Sequence, residues 1–377
     1  MKKVLLLVAV VCMAVFALSA GVIAQDEPIK IINVVNGVLG DQSFFDSSQR
    51  GVDMIADEYG AEVDTVELGI DAATWESGLD DVMTDTDSYD ILITGTYQMN
   101  GYLGSRAHLY PDKIFIQYDA PVAYDDPAIC VDGCTNVYSV SYKQNEGSLL
   151  AGVYAAAMAQ QLGQADPILG AIGGGNIPVI NDFVVGYEQG ACLVNPNSQL
   201  LVQYSNGWND PAGGKEIALA MFEQGASMVF NVAGGTGLGM FEAAHETGNH
   251  AIGVDSDQAM VIFESDPELA QSILTSMLKN VDVSLVRAYE MYVDGTLPVG
   301  SEEIIGIPEN GVGLAVNEIY EAATPQEIQD LLVAVQEAVV NGDIVVNSAF
   351  GDAQVAPGLG CANMPETTFD ASAFLGS

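Results

Sequence analysis

Apolar and polar positions follow two rhythms along this chain, and the rhythms take turns. Short, nearly continuous apolar runs occur at Ile29 to Val35, Glu62 to Leu68, Tyr89 to Thr94, Lys113 to Tyr118 and Val137 to Tyr142. A second group follows at Pro167 to Gly173, Gln199 to Tyr204, Ser227 to Val232 and His250 to Val254. Most are separated by stretches with helical spacing: Phe44 to Tyr59, Asn145 to Leu162, Asp182 to Val194, Asp210 to Gln224 and Gly237 to Thr247. Strands apolar on both faces, joined through helices, predict parallel sheet covered on both sides. The expected fold class is α/β, doubly wound.

The two groups are separated by Pro121 to Thr135, a stretch rich in Pro, Asp and Cys with no periodicity. Even without its first 24 residues, the 377-residue chain is longer than one such sheet usually takes, so two lobes are expected. The pattern assigns 25–125 and about 256–300 to the first lobe, and 126–255 and about 301–350 to the second. After Asp257 it predicts a long helix from Leu269 to Val293, short strands around Glu303 to Ile307 and Val312 to Ala315, and a helix from Pro325 to Asn341. Residues 351–377 are a Gly, Pro and Ala-rich tail expected to lie along the surface.

The first residues set the compartment. Lys2 and Lys3 precede an apolar run from Val4 to Ala24, and Val22 and Ala24 supply the small residues of a cleavage site before Gln25, with Ser19-Ala20 as a second option. This predicts a secretory signal at 1–24, although the run is just long enough to span a bilayer if retained. Cys12 lacks a small residue directly before it, so lipid attachment is not expected. Export disfavours soluble nicotinamide or ATP enzymes and permits disulfides. The four remaining cysteines, Cys130, Cys134, Cys192 and Cys361, allow three pairings. A local Cys130 to Cys134 bridge around a Val-Asp-Gly turn leaves Cys192 and Cys361 to staple the tail. Metal binding competes less well, because the spacing is C-x3-C with no His nearby.

Formal charge sharpens the picture. A net −41, from 51 acidic and 10 basic residues, excludes nucleic acid as a partner and predicts a hydrated acidic surface. Any cation beside a ligand-type motif then stands out, and Lys279 is such a residue.

Candidate site residues gather where strands end. Asn36 to Phe45 (NGVLGDQSFF) runs from the first strand into a helix that Asp41 or Ser43 can cap. Phe44 and Phe45 are either a hydrophobic staple or, for one of them, a platform for a flat ligand. Asp119 ends the fourth strand. Trp208 sits in the polar turn Asn206 to Asp210, which suits a stacking surface better than a core. Asn231 to Gln258 combines a strand end, a glycine-rich turn at Gly234 to Gly239, a helix, and a strand stopping on Asp255 and Asp257. Lys279 follows, read as part of the long helix. Aromatic faces stack planar groups and carboxylates accept hydrogen bonds from hydroxyls and N–H groups, so this inventory suits a flat, uncharged, hydroxyl-rich ligand. Several carboxylates at one edge would repel a phosphate.

The segments Asn209-Asp-Pro-Ala-Gly-Gly-Lys-Glu-Ile-Ala-Leu-Ala, Val232-Ala-Gly-Gly-Thr-Gly-Leu-Gly and Gly253-Val-Asp-Ser-Asp-Gln closely resemble the basic membrane protein family. Asp41-Gln-Ser-Phe, Glu146-Gly-Ser-Leu-Leu-Ala-Gly, Leu274-Thr-Ser-Met-Leu-Lys and Gly311-Val-Gly-Leu-Ala extend the resemblance from about Lys30 to Ala315. These are substrate-binding proteins of ABC importers, among them purine nucleoside receptors. The resemblance implies a type I periplasmic-binding fold closing on a ligand, no cofactor, no catalysis, a membrane permease as partner and a monomeric receptor. It implies that Phe44 and Trp208 sandwich a base, Asp119 binds its edge, and Asp255 and Lys279 hold the ribose. Gly234 brings backbone close, and Asn36 or a neighbour faces the base. Phe45 departs from the family's usual Asn, and the tail with Cys361 departs from the typical member. The missing lipid-attachment motif suggests a freely diffusing receptor.

Two other classes remain on the residues alone. An exported nucleoside or sugar hydrolase would use a cleft carboxylate as general base. An oxidoreductase would use the glycine turn for a dinucleotide, which export argues against.

Overall fold

The structure is a computed structural model that describes residues 27–375. The signal segment and Cys12 lie outside the described residues. Twelve strands are described: β1 Lys30–Val35, β2 Glu62–Glu67, β3 Ile91–Gly95, β4 Ile114–Tyr118, β5 Val137–Tyr142, β6 Ile168–Gly173, β7 Gln199–Tyr204, β8 Met228–Val232, β9 His250–Asp255, β10 Ile273–Lys279, β11 Ser301–Ile305 and β12 Val312–Leu314.

They form two sheets of six strands. The first has the order β11-β5-β4-β3-β1-β2 and the second β12-β10-β9-β8-β6-β7. Every pairing is parallel except β10 with β12. The central strands are buried throughout, as with Ile91–Gly95 and Met228–Val232, because helices cover both faces. The fold is α/β with two doubly wound sheets. In each, the order reverses direction beside the first strand, β1 next to β3 and β6 next to β8. Such switch points open a crevice at the carboxyl ends of the strands.

The chain passes between sheets after β5, after β10 and after β11, so three boundaries differ from the sequence-based division. Strand β5 belongs to the first sheet, beside β4, although it follows the expected break. Pro121 to Thr135 is a loop within that lobe, pinned by the Cys130–Cys134 disulfide and by burial of Val122, Cys130 and Cys134. A composition shift marks a loop without saying which lobe follows. Strand β10 lies in the second sheet and β11 in the first, the reverse of their expected lobes.

The long helix from Leu269 to Val293 is also corrected. Residues Pro267–Ala270 form one short turn, Ile273–Lys279 is strand β10, and only Val281–Val293 is helical. Without Gly or Pro between β10 and the helix, periodicity runs the two together, and an apolar segment of seven residues suits either state.

Eight of the ten Lys and Arg fall within the described residues, and none is free. Lys30 donates to the Asp87 carbonyl, and the other seven each meet a carboxylate. Among the described residues the remaining surface charge is therefore negative and unopposed. The tail is held more firmly than its composition suggests. Glu188, buried on the helix Pro178–Val194, accepts the backbone amides of Gly358, Leu359 and Gly360, and Cys192 is bonded to Cys361.

Candidate functional site

The carboxyl ends of the two sheets face each other across a cavity of about 480 Å³. That volume is in the range of small-molecule sites. Eight of the residues expected in the site line it: Asn36, Asp41, Phe44, Asp119, Trp208, Gly234, Asp255 and Lys279. Ser43 does not. Its hydroxyl lies behind the wall, donating to Asp255 Oδ2 at 2.7 Å.

Strand ends put these groups in place through unusual backbone. Thr96, Asp119 and Asp255 stop or follow β3, β4 and β9 with φ of 71°, 76° and 63°. This left-handed region is uncommon for Asp and strained for a β-branched residue such as Thr, and it clusters at binding sites. The Thr96 hydroxyl donates to Asn36 Oδ1 at 3.2 Å, tying together the two strand ends that flank the first switch point.

Glycine makes room for the aromatic walls. Trp208 lies against Gly174, where any Cβ would run into its ring, and the Trp stays 41% exposed. A core Trp would not be, so Trp208 is a wall of the crevice. Phe45 lies in the same way against Gly37, and its ring meets Phe44 edge-on at 5.3 Å between centroids. Trp75 fixes its indole by donating to the Gly69 carbonyl at 2.7 Å and contributes a further apolar face.

The polar floor is a buried charge triad. Lys279 ends β10, where the sequence pattern places it on a helix. Its ammonium donates to Asp119 Oδ1 at 2.7 Å and stands 3.7 Å from Asp255 Oδ1, beyond hydrogen-bonding range. Burial works against the Lys279 charge, but the two carboxylates outweigh it and raise its pKa. Burial raises the Asp255 pKa, against the pull of Lys279 and Ser43. Asp255 Oδ1 is a buried acceptor without a hydrogen-bond partner. Buried acceptors in folded proteins are almost always satisfied, so this oxygen is suited to a ligand donor.

Asp41, and not Ser43, serves the start of the helix Phe44–Tyr59. Its carboxylate accepts the amides of Ser43, Phe45 and Asp46. Burial pushes its pKa up to about 6, against those backbone hydrogen bonds. A carboxyl raised above its ordinary value stabilises the fold below that value, and loses the contribution as pH rises through the folded one. Stability should therefore fall between about pH 4 and 6. Asp41→Asn should flatten that slope in urea denaturation; an unchanged slope would assign it to another group.

Residues 29–348 match the family model described as ABC transporter substrate-binding protein, PnrA-like. The chain belongs to the Bmp family. Among Bmp relatives, Basic membrane protein D of Borreliella burgdorferi is 28% identical over 83% of this chain and 86% of its own length. An ABC transporter nucleoside-binding protein of Lactococcus lactis is also 28% identical, over 88% of this chain and 92% of its own. The crystal structure of an ABC transporter solute-binding protein from Aeropyrum pernix superposes with a TM-score of 0.75, at 25% identity, over 86% of this chain and 95% of that one. The family is one of ABC transporter substrate-binding proteins, and the Aeropyrum pernix structure is a solute-binding protein of the same kind of system. Among the described residues no helix is long and apolar enough to cross a membrane, and no cluster of three or more His, Cys, Asp or Glu could hold a metal.

Sequence reading missed Thr96, Trp75, Tyr97 and the aliphatic wall of Ile177, Val179 and Ile180. Thr96 had a signal, since it follows a strand just as Asp119 does. So did Gly173-Gly-Gly, whose lack of side chains leaves a shelf for Trp208.

Proposed function

We propose that this Bmp-family protein is an extracytoplasmic receptor that captures a purine nucleoside or a similar ligand and delivers it to a membrane permease. The base lies between Phe44 and Trp208, Asp119 and Asn36 meet its edge, and Gly234 offers close backbone. Ribose hydroxyls go to Asp255 and Lys279. The receptor acts as a monomer, exported by its signal segment and not lipidated, and performs no bond chemistry. The observation that carries this reading is Asp255 Oδ1, a buried, unbonded acceptor in a cavity walled by aromatic rings. A neutral hydroxyl satisfies it, whereas a phosphate would meet Asp41, Asp119 and Asp255 with only Lys279 to offset them.

Mass spectrometry of whatever is released on denaturing the freshly purified protein tests the ligand class directly. A nucleoside is expected; a sugar or an amino acid would sink the reading. Incubation with nucleosides should release neither base nor sugar, since turnover would favour a hydrolase. Trp208→Ala should weaken nucleoside binding by roughly 1 to 3 kcal/mol if the ring stacks a base. Calorimetric titration reads this, and unchanged affinity would remove Trp208 from the site.

A further inference from the structure

Ser43 occupies a helix-cap position and does not cap. It precedes the helix Phe44–Tyr59, yet its side chain makes no capping hydrogen bond, because Asp41 takes that role. The hydroxyl instead donates to Asp255 Oδ2 at 2.7 Å and approaches the Val254 carbonyl at 3.2 Å. Ser43 leads from the loop after β1, in the first lobe, and Asp255 ends β9, in the second. The bond therefore spans the cleft.

Two more contacts brace the same seam. Ser256 Oγ donates to the Ser43 carbonyl at 2.9 Å, and Arg50 donates to Ser256 Oγ at 2.9 Å while holding Asp282 at 3.1 Å. Ser43, Asp255 and Ser256 are all buried, so water does not compete for the bonds among these three. The two Asp255 oxygens are thereby divided. Oδ2 is taken by Ser43 from the opposite lobe, and Oδ1 has no hydrogen-bond partner.

We propose that Ser43 is a positioning residue that couples lobe closure to ligand capture, holding the Asp255 carboxylate from across the cleft so that its other oxygen is offered to the ligand. The proposal rests on Asp255 being a ligand contact. Separating the lobes breaks the Ser43 bond and frees the carboxylate to rotate. Closure restores it, so the grip is complete only in the closed state. A hydrogen bond to a charged acceptor in a buried seam is strong enough for this to matter.

The test is a double-mutant cycle read on inosine affinity, with small-angle scattering of the ligand-free proteins as the second readout. Ser43→Ala should weaken inosine binding roughly ten- to hundredfold and enlarge the radius of gyration. Placed in an Asp255→Ala background, which leaves Ser43 no side-chain acceptor, the same change should alter affinity less than about twofold and expand the protein no further. Wild-type affinity in Ser43→Ala, or losses that multiply in the double variant, would overturn the coupling. If the wild-type protein binds none of inosine, adenosine and guanosine, the nucleoside reading fails instead. Scattering then decides the coupling alone, an unchanged radius in Ser43→Ala overturning it.

Discussion

Replacing Lys279 with methionine is expected to destabilise the protein by about 3 to 5 kcal/mol, the cost of leaving buried charge uncompensated. The lysine and Asp119 side chains are 5% and 7% exposed, and Asp255 is 8%. The ammonium also lies over the rings of Phe44, Phe183 and Tyr142, at 4.5, 5.2 and 5.7 Å from their centroids. Methionine keeps most of the volume and the apolar contacts, so the loss is electrostatic. Two carboxylates then share one buried site without a cation, and one must take up a proton.

That proton gives the prediction a second, pH-dependent signature. Removing Lys279 takes away the charge that opposes burial, so the Asp255 pKa rises further. The native state then holds a proton that the unfolded chain releases above its ordinary value of 3.8, and stability falls as pH rises from there. The deficit against wild type should be smallest near about pH 4 and largest at neutrality. In the wild type the raised Lys279 pKa keeps its contribution intact at neutrality, to be lost only above its ordinary 10.5. Urea midpoints at several pH values read both effects. A loss below about 1 kcal/mol with no pH trend would mean that water solvates the triad.

How much of this was legible beforehand follows from what kind of signal each feature leaves. Buried parallel strands such as Ile91–Gly95 leave an uninterrupted apolar run, so the α/β class and most elements could be read directly. Strand-terminal carboxylates and a Trp in a polar turn also stand out, which is why Asp119, Asp255 and Trp208, all three lining the cavity, could be singled out. The lobe assignment was not legible, because β5, β10 and β11 look alike whichever sheet they join. Strand pairing at long range, as of Tyr138 with Ser301 between β5 and β11, leaves no local mark. Ser43 shows the subtler limit. Its sequence context fits capping, and only the tertiary structure shows that Asp41 has already met that need.

Breaking the Cys192–Cys361 disulfide should cost up to about 5 kcal/mol, more than twice the cost of breaking Cys130–Cys134. In the chain-entropy account the stabilisation comes from restricting the unfolded chain and grows with the loop closed. The sequence separations are 169 and 4 residues, which gives about 5 and about 2 kcal/mol. Native docking of the tail should survive in Cys192→Ser with Cys361→Ser. Glu188 still receives three amides, Asp182 still accepts Ser348 Oγ and the Ala349 amide, and Gln189 still bridges Val345 and Asn347. Ligand affinity should stay within a few fold. The cavity is touched by Val179 and Ile180, at the start of the helix that carries Cys192, and twelve residues of helix separate Ile180 from Cys192 by roughly 18 Å. Equal losses for the two bridges in urea denaturation would refute the loop-length argument. A large fall in affinity would instead show that the tail reaches the site through its helix.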